Sequence, residues 1–293
     1  MTSEQVTLRG RPFHLLRAGD PDAPPLLMLH GFPEYSGAWA EVAAELAGRF
    51  HVVAPDQRGY GRSWAPPEVE AYVLSELVAD MAALIDRLGG RVCVVGHDWG
   101  AAVAYGLAMF TPERVARLVI LNGVHPVPFQ RALLAGGAQT EASQYIRRLR
   151  EPGSEEWLAR DGFAPLARLF AANMDTGWLS GARLEAYRRE WARPGRLRGM
   201  VNWYRASPLV VPEAGKPPPE PPRLPPPERL RVPMPHLLIW GEQDRALLPE
   251  SFAGLEEFAP QLTVERLPDA DHWLHHQKPG EVAELIAAFA SGG

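Results

Sequence analysis

Two patterns of apolar residues alternate along the first 125 positions. Residues 26–29, 51–54, 91–95 and 118–121 are short apolar runs, as expected of strands buried on both faces. Between them, residues 39–50, 74–88 and 101–110 carry apolar side chains at helical spacing. In 74–88 the stripe runs through Leu77, Val78, Met81, Leu84 and Ile85, and Gly89-Gly90 ends it. Ahead of these, residues 6–8 and 13–16 suit a short antiparallel pair. The alternation predicts an α/β fold, a mostly parallel sheet with helices on both faces.

From 126 to about 210 the strand-like runs cease, and helical segments rich in Arg, Trp and Tyr replace them. A proline-rich stretch, 212–235, follows. The α/β pattern then returns, with strands at 237–240 and 262–267 and helices at 251–258 and 281–289. One core built from residues 1–125 and 231–293, with 126–230 inserted as a helical lid and its return connector, accounts for this order. The lid would cover the carboxyl ends of the strands, where open α/β sheets bind ligands. The run Arg223-Leu224-Pro225-Pro226-Pro227 has the composition of a ligand for a polyproline-binding groove. A stiff extended connector explains it more simply. The apolar residues Trp157, Phe163, Leu169, Phe170 and Trp178 read as core of the lid rather than as pocket lining.

A net charge of -5 leaves no basic excess for phosphate backbones, so nucleic acid is not an expected partner. The first ten residues are polar, without the apolar stretch of a secretory signal, and no run of about 18 apolar residues suggests a membrane span. A cytoplasmic monomer or homodimer is expected. The single cysteine, Cys93, lies within an apolar strand and reads as a core residue.

The strongest chemical signal is Gly96-His97-Asp98-Trp99-Gly100, between a buried strand and a helix. This is the Gly-x-nucleophile-x-Gly elbow, whose glycines let a tight turn hold the central side chain at the top of the sheet. Here that residue is Asp. A carboxylate is already ionised near neutral pH and suits displacement at an sp³ carbon, leaving an ester that water must split with help from a general base. The order nucleophile, acid, histidine assigns His272 as the base. Asp244 orients it, with Glu242 as the alternative; Asn122, at the end of the fourth strand, cannot act as a carboxylate. The N–H groups of Phe32 and Trp99 are the expected oxyanion donors. His30 is expected to brace its loop and His97 to point away from Asp98. The other histidines, His14, His51, His125, His236, His275 and His276, show no metal-ligand spacing, and no phosphate-binding or dinucleotide motif occurs. No metal or organic cofactor is expected.

His30-Gly31-Phe32-Pro33-Glu34, Asp56-Gln57-Arg58-Gly59-Tyr60-Gly61-Arg62-Ser63 and Gly96-His97-Asp98-Trp99-Gly100-Ala101 together resemble the soluble epoxide hydrolases of the α/β-hydrolase superfamily. The resemblance covers about residues 5–125 and 232–290. It implies two lid tyrosines that hold the epoxide oxygen: Tyr145, ahead of Glu151-Pro152-Gly153, and Tyr204, within Asn202-Trp203-Tyr204-Arg205. It implies conversion of a small-molecule epoxide to a vicinal diol. Haloalkane and haloacetate dehalogenases share the Asp nucleophile, but Phe32 offers no side-chain halide donor and residues 99–103 contain no Arg. A non-catalytic binding protein on this fold would have no need of an ester-hydrolysing base. Asp271, just before His272, departs from the usual Gly and would compete for the imidazole or shift its pKa.

Overall fold

Each central strand is apolar on both sides because both sides are covered. The computed structural model describes residues 1–171 and 174–292. Its strands are β1 (Thr2–Leu8), β2 (Arg11–Ala18), β3 (Pro25–Leu29), β4 (His51–Pro55), β5 (Val92–His97), β6 (Val115–Leu121), β7 (His236–Gly241) and β8 (Leu262–Leu267). They form one sheet in the order β1-β2-β4-β3-β5-β6-β7-β8. The pairs β1/β2 and β2/β4 are antiparallel and all others parallel.

The helices in chain order are α1 (Ala40–Leu46), α2 (Leu74–Arg87), α3 (Trp99–Phe110), α4 (Pro126–Leu134), α5 (Ala138–Ala142), α6 (Gln144–Arg150), α7 (Ser154–Ala171), α8 (Gly181–Trp191), α9 (Arg196–Ala206), α10 (Leu274–Gln277) and α11 (Pro279–Ala290). Alternate strand residues divide between the faces. Leu26, Met28, Val95 and Leu121 pack with α1 and α11, whereas Leu27, Leu29, Val94 and Ile120 pack with α2 and α3. Each such buried side chain contributes about 1.5–3 kcal/mol. Cys93 is buried in the first of these layers, and burial pushes its thiol up to about 12. Helices α4 to α9 all lie between β6 and β7 in sequence. No described helix is long and apolar enough to cross a membrane.

Two segments differ from a regular helical reading. Residues 251–258 do not form one helix but two single-turn 3₁₀ pieces, Pro249–Phe252 and Leu255–Glu257. Gly254 between them has φ 82°, a left-handed backbone that stops helix propagation. Helix α7 is broken at Arg160 to Phe163, where φ is positive at Asp161, Gly162 and Phe163. Pro165 follows, and its ring would clash with the carbonyl of Asp161 in an unbroken helix.

The Asp56 to Ser63 motif braces the core beside the site. The buried Asp56 carboxylate accepts hydrogen bonds from His14 Nδ1 (2.9 Å), Ser36 N–H (2.8 Å) and Arg62 N–H (2.9 Å). Burial would raise its pKa, but these donors outweigh it and bring it to about 2. Gln57 Nε2 donates to His30 O at 2.6 Å. Arg58 reaches Asp80 on α2 through two parallel bonds of 2.7 and 2.8 Å, with both side chains buried. Removing one member of such a pair leaves a buried charge without its partner. Asp80→Ala is therefore expected to lower the unfolding free energy by about 3–5 kcal/mol, measured by urea denaturation; a loss close to zero would mean that Arg58 finds another partner or water.

Candidate active site

Strand β5 ends at His97 and α3 begins at Trp99, so Asp98 alone makes the turn. Its backbone adopts φ 49° and ψ −118°, a region that costs a non-glycine residue about 1–3 kcal/mol and persists only where packing enforces it. Two glycines supply that packing. A Cβ on Gly100 would lie 2.1 Å from Leu29 O, and one on Gly31 would lie 2.4 Å from Asp98 Cβ. The loop after β3, with a cis Phe32–Pro33 bond, can therefore close directly over the carboxylate. Phe32 N–H donates to Asp98 Oδ1 at 2.7 Å. The other oxygen, Oδ2, faces His272 Nε2 at 3.8 Å. Trp99 N–H opens α3 next to the carboxylate, and the Trp99 ring stands edge-on to Tyr204 and Trp203.

His272 follows β8. Its Nδ1 meets Asp244 Oδ2 at 2.8 Å. Asp244, in the turn after β7, also accepts from Ala246 N–H (2.7 Å), Leu247 N–H (2.9 Å) and Asn122 Nδ2 (2.8 Å). Asn122, which sequence reasoning set aside as no carboxylate, donates to Asp244 and also accepts from Gly241 N–H at 2.7 Å. Glu242 is exposed and pairs with Arg266, so the structure brings Asp244, not Glu242, to the imidazole. Burial alone would lower the His272 pKa. The charge and hydrogen bond of Asp244, followed by the charges of Asp98 and Asp271, outweigh it and raise the value to about 9. Asp271 acts only by charge: its oxygens accept from Trp273 N–H (2.8 Å) and Asp175 N–H (2.7 Å), not from the ring.

Tyr145 on α6 and Tyr204 on α9 stand above Asp98, with ring centroids 6.2 Å apart. Burial raises both phenol pKa values, and for both the Asp98 charge raises them further; both therefore remain proton donors. The residues around Tyr204 fix its helix. Asn202 Nδ2 donates to Pro67 O, Trp203 Nε1 to Arg58 O at 2.9 Å, and Arg205 to Glu155 at 2.6 Å. Arg150, which no sequence motif singled out, ties the two tyrosine helices together. From the end of α6 it donates to the carbonyls of Tyr204, Ser207 and Leu209, capping the C-terminus of α9 with a cation.

Two cavities of about 220 and 240 Å³ share Asp98, Tyr145 and Tyr204 as a common wall. The first is mostly apolar and runs past Leu77, Phe129 and Ile146 to the proline-rich connector at Pro222 to Pro225. The second passes His272 and Trp273. Leu169 and Phe170 line it, contrary to their reading as core residues of the inserted block alone. Trp157 instead packs on Arg148, Trp178 stacks on His276, and Phe163 leans on Trp191.

Beneath the site the fold gathers residues that histidine spacing did not predict to meet. The buried Glu34 carboxylate accepts from His276 Nε2 (2.7 Å), Tyr187 Oη on α8 (2.9 Å) and His275 Nε2 (3.2 Å), and His97 Nδ1 stands 3.3 Å away. The spacing of the histidines in the sequence gave no sign of this cluster, in which Glu34, His275 and His276 offer atoms within 4.8 Å of one another and are joined by hydrogen bonds. Burial pushes Glu34 up, yet the imidazoles outweigh it and hold its pKa well below the ordinary range. His97 points away from the Asp98 carboxylate, and its Nε2 donates to the His272 carbonyl at 2.8 Å. His30 braces the loop: Nδ1 donates to Gly31 O, and Nε2 accepts from Gln57 N–H.

A side chain held at the tip of a strand-turn-helix elbow, on a sheet of this order, defines an α/β-hydrolase. The sequence matches the family model of the alpha/beta hydrolase fold over residues 24–279. It is 33% identical to epoxide hydrolase 4 of Mus musculus, over 96% of this chain and 76% of that protein. It is 30% identical to epoxide hydrolase A of Mycobacterium tuberculosis, over 99% and 98%. The structure superposes on the Bacillus megaterium epoxide hydrolase solved with an inhibitor, with a TM-score of 0.88 and 32% identity over 98% of this chain and 100% of that one. The chain belongs to the α/β-hydrolase family, in its epoxide hydrolase branch.

Asp98 is among the charges that raise the His272 pKa. Asp98→Asn removes that charge, so the imidazole, followed by NMR, is expected to titrate below the wild-type value of about 9; an unchanged titration would assign the whole elevation to Asp244 and Asp271. A raised folded-state pKa contributes in full below the unfolded value of 6.5 and is lost as pH rises through about 9, so this contribution to stability declines across that window, and by less in Asp98→Asn.

Proposed function

We propose that the protein hydrolyses an epoxide to a vicinal diol through an ester on Asp98. The observation that carries this reading is the pair of phenols facing a carboxylate that is itself backed by a histidine–aspartate pair. Tyr145 and Tyr204 donate to the oxirane oxygen. Asp98 Oδ2 attacks one ring carbon; that C–O bond breaks, and the oxygen takes a proton from a phenol. Forming the ester removes the Asp98 charge. The His272 pKa then falls, and its proton returns to the phenol by way of solvent.

The neutral imidazole, oriented by Asp244, takes a proton from water, and the hydroxide attacks the ester carbonyl. The developing oxyanion is Oδ1, which Phe32 N–H already holds, with Trp99 N–H as the second donor. Collapse expels the diol as an alkoxide that takes the proton of the new carboxylic acid, restoring Asp98. No metal or organic cofactor enters this cycle. A dehalogenase reading lacks a side-chain halide donor at Phe32, and a purely binding role leaves the His272–Asp244 pair without a task.

Diol formation from styrene oxide tests the assignment. Wild type is expected to form diol and Asp98→Ala none. His272→Gln is expected to accumulate an enzyme adduct of substrate mass; turnover by wild type without any adduct in this variant would rule out the ester route. Tyr145→Phe and Tyr204→Phe are each expected to lower kcat/KM by about 10²-fold, as for loss of one oxyanion donor, with unchanged pH dependence below pH 9. Loss of less than twofold in both would remove the phenols from the mechanism.

A further inference from the structure

The turn that carries His272 is also fastened to the inserted helices. Asp271 is buried, and neither of its oxygens bonds the imidazole. One oxygen accepts from Trp273 N–H at 2.8 Å, within the turn itself. The other accepts from Asp175 N–H at 2.7 Å, in the segment 174–178 between α7 and α8. Gln277 holds the same place a second way. Its Nε2 donates to Asp175 O at 3.1 Å, and its Oε1 accepts from Asp271 N–H at 2.9 Å. Both polar groups of the Asp175 backbone are thus taken by side chains that flank His272 in sequence. Residues 174–178 belong to no helix or strand, so such tethers, not a backbone ladder, decide where they lie.

Aromatic contacts extend this clasp. The Trp273 ring stacks on Phe170 at 4.1 Å and donates to its carbonyl, and Trp178 stacks on His276 at 3.7 Å. Leu169, Phe170 and Met174 in turn line the cavity that holds His272. The other reacting groups have separate supports. Asp98 sits in the elbow, Tyr145 on α6 and Tyr204 on α9, and among the described residues Asp271 and Gln277 bond to none of them.

Resting on the epoxide reading above, we infer that Asp271 is a positioning residue for the second half of the reaction: with Gln277 it clasps the segment 174–178 to the turn of the base, which holds His272 and the wall of its cavity together while water attacks the ester. Ring opening does not depend on the clasp. When the clasp opens, the wall no longer limits where the imidazole and the attacking water lie, and hydrolysis loses its orientation. The carboxylate has a second effect. Asp244, Asp98 and Asp271 surround the imidazole with negative charge, the His97 ring stands 4.7 Å from it, and Arg245 lines the same cavity. Removing the Asp271 charge lowers the His272 pKa, so the neutral base persists to lower pH. Asn at this position keeps the shape but has one acceptor oxygen, so one of the two N–H groups loses its partner.

Single-turnover reactions with styrene oxide, quenched and weighed by mass spectrometry, give the rates of ester formation and of ester hydrolysis in wild type, Gln277→Ala and Asp271→Asn. Gln277→Ala is expected to lower the plateau rate of hydrolysis by about fivefold, the size of one neutral hydrogen bond, and to leave the acid limb of its pH profile in place. Asp271→Asn is expected to lower the plateau by roughly tenfold, the size of a bond to a charged group, and to move the acid limb to lower pH. Ester formation should change by less than about twofold in both, the acid and the amide lying outside the ring-opening groups. Amide hydrogen exchange at 174–178, which involves no substrate, should quicken in both variants. Equal slowing of the two steps, exchange unchanged from wild type, or faster exchange without slower hydrolysis each overturns the positioning role. If wild type forms neither ester nor diol, the epoxide reading falls and the role in hydrolysis with it, while exchange still decides whether the clasp holds the segment.

Discussion

The whole site depends on one strained residue. Asp98 occupies a backbone region that most side chains avoid, and it stays there because the backbone at the end of β3 and in the loop after it presses against the turn. Gly100 lets α3 sit against the end of β3, and Gly31 lets the following loop reach the carboxylate. The strain has a use. It lifts the side chain out of the sheet, and it leaves one carboxylate oxygen on an N–H group while the other faces open space and the imidazole. Relaxing the turn would lower the local energy and lose both orientations at once.

The inserted helices depend on the same few points of the core. Tyr187 docks on Glu34, Trp191 Nε1 on Pro33 O, and Trp203 Nε1 on Arg58 O. All three receptors belong to loops at the carboxyl ends of β3 and β4. The loop that covers Asp98 therefore also carries α8, and His97 links this layer to the backbone of His272. A polar layer of this kind is favourable only when most of its members find partners; here one carboxylate serves a phenol and several imidazoles.

The core was legible because parallel strands buried on two faces are continuous apolar runs and because the elbow is spaced by glycines. Asp244 could be preferred over Glu242 by its place after β7, and the fold agrees by leaving Glu242 with Arg266. What escaped was contact between distant residues. Glu34 and His276 are 242 positions apart, and no local pattern marks either as a partner. Asn122 looked inert when judged as a missing acid, whereas its amide works as a donor to the acid that is present. The expected helix at 251–258 failed at a single position, Gly254, where backbone freedom outweighed apolar spacing. Leu169 and Phe170 were read as interior; they are, but the interior they face is a cavity.

The two cavities meet at the carboxylate and differ in character, one lined by aliphatic and aromatic groups, the other passing the imidazole. Under the proposed mechanism this asymmetry has a stereochemical consequence. A chiral oxirane that threads its bulky substituent into the apolar arm presents one ring carbon and one face to Asp98, with its oxygen toward the phenols. Its mirror image, seated with the same substituent in the same arm, must turn the oxygen away from the phenols or offer the other carbon. Under the proposed mechanism, handedness would be selected by the shape of the junction itself, before any bond is broken.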